Sequence, residues 1–439
     1  MINYEFYRKK AEQEKNYHNE TIRNLLNIKT MVSIFEKQVD LSKYFVVTYY
    51  LEAKTSLREA AWNLSIGQSI GNPNNRSVWE TDEMFMNHSC FVLEDEALLK
   101  KQKSGIVKIA FPLANINLEE DGVSQILCHI AGGQVDILEI QKCHVLDIVL
   151  PEDLEKSFTL APAYGIDGFR EYTQVHGKPF FGGIIKPKVG MSPEVLLEAV
   201  KEMVQGGVNF IKEDELLGNP DHCPLEKRVP LISSWLKENA PDVIYCFCIN
   251  GDSPYALQRA QFVADHGGTG IHINVWSGLG VYRAIRKQNP DLWIHFQKSG
   301  DKFFTDRRAP FHIYWPVICK IAGWSGADSI HAGMIGGYMN QDDEELRDAL
   351  KVLWNYNIVP ALSCGMHPGL VQYINQLLES YDWMANVGGA MHGHPMGTLA
   401  GGLAMKQAIE GRTHEPEYIK AIEKWGSKEF NPDLAYRFF

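Results

Sequence analysis

From Phe180 to Gly411 the chain repeats one unit eight times, a short apolar run followed by a longer amphipathic stretch. The apolar runs are "PFFGGIIKPK", "VNFIKEDE", "DVIYCFCIN", "TGIHINV", "LWIHFQKS", "ADSIHAG", "IVPALSCG" and "DWMANVGGA". Stretches such as "SPEVLLEAVKEMVQGG" and "QDDEELRDALKVLWNYN" carry helical periodicity. Strands without a polar face are buried on both sides, which is the condition of a parallel sheet covered by helices. Eight such units in ~230 residues predict a (β/α)8 TIM barrel, whose usual size is roughly 250 residues. A doubly wound open sheet is the other arrangement the alternation permits.

A different texture precedes the barrel. "YFVVTYYLEA" reads as a strand, "TSLREAAWNLSIGQ" as a helix, "SCFVLED" and "SGIVKIAFPLANI" as strands, "GVSQILCHIAGG" as a helix and "CHVLDIVLP" as a strand. The order βαββαβ predicts a small α+β domain of the split βαβ, ferredoxin-like type. The expected organisation is a polar helical extension over 1–40, the α+β domain over 41–155, and the barrel with a helical C-terminal tail over 156–439.

Charge narrows the partners. Forty-three basic against 54 acidic residues leave a net charge of -11, which argues against nucleic acid or an anionic membrane as a general partner. No apolar run reaches membrane-spanning length. The opening "MINYEFYRKKAEQEKNYHNE" lacks the apolar core of a signal peptide. The eight cysteines are scattered, with Cys246 and Cys248 two apart on one predicted strand. Buried thiols and a cytoplasmic location are expected.

In such a barrel the active site lies at the C-terminal ends of the strands. Strand 1 ends in Lys186 and Lys188, and strand 2 in Lys212, Asp214 and Glu215. Strand 5 ends in His295, Gln297 and Lys298, strand 6 in His331, strand 7 in Ser363, and strand 8 in Gly388 and Gly389. Pleating sends residues two apart to one side, so Lys186 and Lys188 face together, as do Lys212 and Asp214. A single lysine–carboxylate pair such as Lys212 with Asp214 reads as a buried salt bridge. Charges at the ends of most strands point instead to a site, because burying them unpaired is costly. Two carboxylates suit Mg²⁺, which takes oxygen ligands and keeps several waters. A neutral lysine reacts with CO2 to give a carbamate, a carboxylate in effect, so Lys212 is a candidate third ligand. The loops "SCGMHPG" and "NVGGAMHGHPMG" follow strands 7 and 8, where barrels often bind phosphate. Their glycines read either as an anion cradle or as tight turns. His392 and His394 read as structural hydrogen-bonding residues.

"GGIIKPKVGMSP", "GGVNFIKEDE", "SGADSIHAG" and "GHPMG" resemble the large subunit of ribulose-bisphosphate carboxylase (RuBisCO), in order and spacing. The resemblance implies an N-terminal α+β domain on a (β/α)8 barrel, and a homodimer whose sites borrow residues from the partner's N-terminal domain. It also implies that Lys212 is the carbamylated lysine, with Asp214 and Glu215 as Mg²⁺ ligands. Lys186 and Lys188 match the lysines that handle the enediolate and its protons. His331 and Ser363 match substrate-binding residues, and Gly365, Gly388 and Gly389 match the backbone phosphate site.

The departures matter as much. Tyr338 in "HAGMIGGYMNQ" stands where a carboxylase carries the lysine that steadies CO2. Asn63 replaces a glutamate, Gln68 and Ser69 a threonine and tryptophan that bind phosphate, and Gly133 an asparagine beside the metal. Gln297 and Lys298 replace a histidine and a phosphate-binding arginine, turning a planar guanidinium into a point charge. The pattern resembles the RuBisCO-like proteins. It implies a Mg²⁺-dependent lyase or isomerase acting through an enolate on a phosphorylated keto-sugar or keto-acid. Enolisation, isomerisation and decarboxylation all remain open. A divergent ribulose-bisphosphate carboxylase and a non-catalytic binding protein on the same scaffold are the alternatives.

Overall fold

The computed structural model describes residues 33–35, 38–72, 77, 79–338 and 342–430. Most of the expected extension over residues 1–40 lies outside them.

The N-terminal sheet is built from β1 (Tyr44–Ala53), β2 (Phe91–Val92), β3 (Ser104–Pro112) and β4 (Ile140–Val149). The strands lie antiparallel in the order β4-β1-β3-β2, as the split βαβ pattern requires. In β1 every second residue is buried, namely Phe45, Val47, Tyr49, Leu51 and Ala53. That period-2 face packs under the helices Leu57–Gly67 and Gly122–Ala131, which turn Leu57, Ala60, Ala61, Leu64, Val123, Ile126 and Ile130 inward. Ser56 caps the first helix by accepting from Glu59 N–H.

All eight predicted barrel strands are present. They are β5 (Phe180–Ile184), β6 (Phe210–Lys212), β7 (Ile244–Cys248), β8 (Gly270–Asn274), β9 (Trp293–Gln297), β11 (Ser329–Gly333), β12 (Val359–Leu362) and β13 (Met384–Val387). They pair in parallel and close through β9 on β11. This excludes the open-sheet alternative. Phe180, Phe210, Ile244, Trp293, Val359 and Met384 fill the lower barrel, plugged by Ile166 and Phe169 of the helix Gly165–Thr173. Asp328 clamps that plug. Its carboxylate accepts from Tyr164 N–H at 2.7 Å and Ile294 N–H at 2.8 Å, and pairs with Arg286 at 2.6 Å.

One strand was not anticipated. β10 (Phe311–Ile313) follows β9 in sequence but leaves the barrel and pairs in parallel with β4, His312 opposite His144. Their rings stand 3.9 Å apart. No helix among the described residues is long and apolar enough to cross a membrane. All eight cysteines are free, and six are buried.

Candidate active site

Interior positions of the barrel recur every second residue, so each strand stacks apolar residues low and polar residues high. β6 carries Phe210 then Lys212, β9 carries Trp293, His295, Gln297, and β13 carries Met384 then Asn386. Above them opens a cavity of about 610 Å³ at the C-terminal strand ends. Lys186, Lys188, Lys212, Asp214, Glu215, His331, Ser363, Gly365, Gly388 and Gly389 all line it. The cavity is therefore where the sequence motifs converge.

The charges in it are paired across strands. Lys186 Nζ lies 2.5 Å from Asp214 Oδ2, and Lys212 Nζ lies 3.4 Å from Glu215 Oε2. Lys212 is fully buried, Asp214 nearly so, and Lys188 stands exposed at the rim. Burial works to raise the Glu215 carboxyl, but the Lys212 charge, a backbone N–H and the Ser299 hydroxyl hold it well below the ordinary range.

Lys212, Glu213, Asp214 and Glu215 follow one another without a break, and Glu213 has a partner of its own. Pleating turns it away from Lys212 and Asp214, into the layer between strands and helices. There Arg228 of the helix Leu225–Asn239 meets it through two bonds of 2.9 and 3.1 Å. Tyr245 O–H and Cys248 N–H also donate to it, at 3.1 and 2.7 Å. The run thus serves two sites of different kind, one chemical and one structural.

Lys298 does not join the cavity. It is adjacent to Gln297, so the same parity turns it outward. Its ammonium lies 3.2 Å from Asp301 and 3.5 Å over the Trp315 ring, and burial lowers its pKa. The expected substrate-binding role is corrected by geometry.

The upper barrel holds three buried histidines, His272, His295 and His331. Both ring nitrogens of His272, and Nε2 of His295 and of His331, lack a hydrogen-bond partner. Burial and the Lys212 charge push His331 down to about 3, and the same two causes depress His272 and His295. Unfolded, each imidazole takes up a proton below about 6.5. Folded, it stays neutral to far lower pH. Stability therefore falls as pH drops below about 6.5, by about 1 kcal/mol or more per pH unit for each histidine held neutral. Urea unfolding at pH 7.5, 6 and 5 should show this decline, and His295→Gln should flatten it. A stability unchanged from pH 7.5 to 5 would contradict the assignment.

Asn386 was missed by sequence reasoning. It is almost wholly buried, lines the cavity, and both its amide atoms lack partners. Its parity with Gly388 was the available signal. Tyr338 sits exposed at the rim, its N–H donating to Cys364 O at 3.2 Å. Gly365 holds φ +108°, and a Cβ there would press on the Tyr338 ring at 2.9 Å. His392 and His394 bond backbone carbonyls, Ile184 O at 3.1 Å and Glu417 O at 3.0 Å. Asn63, Gln68, Ser69 and Gly133 do not line the cavity, whose walls run from Ile184 to Trp425.

Comparison with known proteins agrees with this architecture. Residues 36–154 match the ribulose bisphosphate carboxylase large chain, N-terminal domain, and residues 165–358 and 353–435 match the catalytic domain. A ribulose bisphosphate carboxylase of Pyrococcus furiosus is 30% identical over 410 residues, spanning 87% of this chain and 94% of that protein. A 2,3-diketo-5-methylthiopentyl-1-phosphate enolase of Geobacillus kaustophilus is 27% identical over 418 residues, spanning 88% and 98%. The crystal structure of an octameric RuBisCO from Pyrococcus horikoshii superposes with a TM-score of 0.80 at 26% identity, covering 90% of this chain and 97% of that one. With both domain models matched in order over a closed eight-stranded barrel, this chain belongs to the RuBisCO large-chain family.

Proposed function

We propose that the protein is a RuBisCO-like, Mg²⁺-dependent enzyme that forms an enolate or enediolate from a phosphorylated keto-sugar or keto-acid. The observation that carries this is the cavity itself. It gathers Lys186, Lys188, Lys212, Asp214 and Glu215, and the family resemblance puts Tyr338 where a carboxylase needs a cation.

Among the described residues no group of three or more His, Cys, Asp or Glu side chains is placed to hold a metal. Two carboxylates are present, each facing an ammonium. The donor set fits a hard cation once Lys212 carries a carbamate, which exchanges a buried ammonium for a third carboxylate. Lys212, Asp214 and Glu215 would then hold Mg²⁺. Bound there, it would polarise a substrate carbonyl and acidify the neighbouring C–H.

The chain's own residues supply the rest. The Gly365, Gly388 and Gly389 wall lets a phosphate approach the backbone, and Gly389 has open space where a Cβ would stand. Ser363 lies on the same wall. Lys188 offers an exposed ammonium to the enolate oxygen. Proton removal would fall to the Lys212 carbamate, to Lys186 once it has parted from Asp214 and given up its own proton, or to a further residue. Return of the proton to another atom gives isomerisation or tautomerisation, and a β-keto acid would give decarboxylation through the same enolate. The relative named as an enolase of a diketo phosphate supports this class. Screening purified protein with Mg²⁺ and bicarbonate against phosphorylated keto-sugars and keto-acids tests it. Turnover undiminished by chelating the metal would refute it.

A divergent carboxylase is the second reading, favoured by relatives that bear that name. Incorporation of labelled bicarbonate into an acid-stable product from ribulose bisphosphate would establish it, and Tyr338 argues that none will be found.

We also propose a homodimer or higher homo-oligomer in the cytoplasm. The free cysteines suit a reducing compartment. The cavity takes no lining from the chain's own N-terminal sheet, so a second copy can supply the missing cover. Sedimentation at micromolar concentration should show at least a dimer. A strictly monomeric active enzyme would contradict this.

A further inference from the structure

The hydrogen bonds around Gln297 have only one consistent direction. Lys298 N–H can only donate, and it donates to Gln297 Oε1 at 3.1 Å. The other amide atom is therefore the NH2, and it donates to Ser299 Oγ at 3.1 Å. Ser299 in turn gives its proton to Glu215 Oε1 at 2.8 Å, since a carboxylate can only accept. His331 Nδ1 lies 2.9 Å from the same Gln297 Oε1. Against an acceptor it must carry the hydrogen. A neutral imidazole has one N–H, so Nε2 is left as a bare lone pair. That atom has no partner in the protein, on a residue that lines the cavity.

We infer that Gln297 is a positioning residue, anchored through Ser299 to Glu215, that locks His331 as the Nδ1–H tautomer so that Nε2 accepts from a substrate hydroxyl and does not bind phosphate. A bare lone pair repels phosphate oxygens and attracts an O–H. Lys298, the neighbouring cation, is turned away behind Asp301 and Trp315. The end of the cavity by His331 thus selects a neutral, hydroxylated portion of the substrate, and the glycine wall takes its phosphate. The assignment of ends rests on the proposed function. The tautomer does not.

Long-range ¹⁵N imidazole spectra of the full chain read the tautomer without any substrate, with His331 identified by the signal lost in His331→Gln. The expected wild-type pattern at neutral pH is protonated Nδ1 and bare Nε2. Gln297→Met should release His331 into a mixture of tautomers, and Gln297→Glu, which keeps an acceptor, should restore Nδ1–H. Titration with sulfate, a tetrahedral oxyanion that carries no O–H at neutral pH, should leave the Nε2 signal in place. An Nε2–H tautomer in the wild type, or no response to Gln297→Met in a variant that still folds, would overturn the inference. So would protonation or direct perturbation of Nε2 by sulfate. If enzyme assays fail while the spectra hold, only the reading of the reaction is lost.

Discussion

Lys212→Ala should abolish turnover and Mg²⁺ binding together, a loss of roughly three powers of ten or more in rate if the cation supplies several kcal/mol at the transition state. Lys212 is fully buried at the base of the cavity, and its nearest anion is Glu215. Alanine removes the nitrogen proposed to become a third carboxylate beside Asp214 and Glu215. It also removes the ammonium that now holds Glu215 ionised, so the variant should bind protons more readily there. Lys212→Glu restores a carboxylate on a shorter arm and should recover part of the metal affinity with less of the activity. Wild-type activity should rise on preincubation with bicarbonate plus Mg²⁺, and neither variant should share that rise. Calorimetric titration with Mg²⁺ in the presence and absence of bicarbonate separates binding from catalysis. Full activity in Lys212→Ala, or Mg²⁺ affinity indifferent to bicarbonate, would remove the carbamate from the account.

The largest stability effect is expected one residue away. Arg228→Met should destabilise the fold by about 3–5 kcal/mol, because it leaves Glu213 charged and buried without its counter-ion. Both side chains of that pair are wholly inaccessible to solvent. Tyr245 O–H and Cys248 N–H would remain as donors, but neither carries charge. The double variant Arg228→Met with Glu213→Gln should regain much of the loss, since the pair's strength comes mostly from not being broken. Urea unfolding of the four proteins in the cycle measures this. Arg228 also bonds the carbonyls of Cys223, Gly218 and Cys248, so it knits the loop after β6 to β7. A single variant as stable as the wild type would show that Glu213 takes up a proton at little cost.

The barrel was legible because burial on both faces leaves a continuous apolar run, and eight of them admit few closures. The N-terminal domain was legible from its order of strands and helices, βαββαβ. The candidate site was legible where a motif and the pleat agreed, as for Lys212 with Asp214. What escaped was set by residues distant in sequence. Nothing near Glu213 announces Arg228, 15 positions on and on the following helix. β10 is three residues long, too short for periodicity, and its partner lies in another domain. Asn386 escaped because a single amide in an apolar run reads as an exception, although its interior position follows from Gly388. Lys298 follows Gln297 directly, so the pleat sends it to the outer face of β9, where Asp301 and Trp315 receive it.

β10 bears on how the chain can be taken apart. The outer edge of β4 is paired by a strand encoded more than a hundred residues later, with Pro310 O accepting from Cys143 N–H at 2.9 Å. A gene fragment ending at residue 155 would leave that edge uncovered, with backbone groups ready to pair with another molecule. Such a fragment should associate with itself, whereas co-expression with the remaining segment should yield one reconstituted particle. Shuffling this N-terminal module onto a foreign barrel would require carrying the Phe311–Ile313 segment along with it.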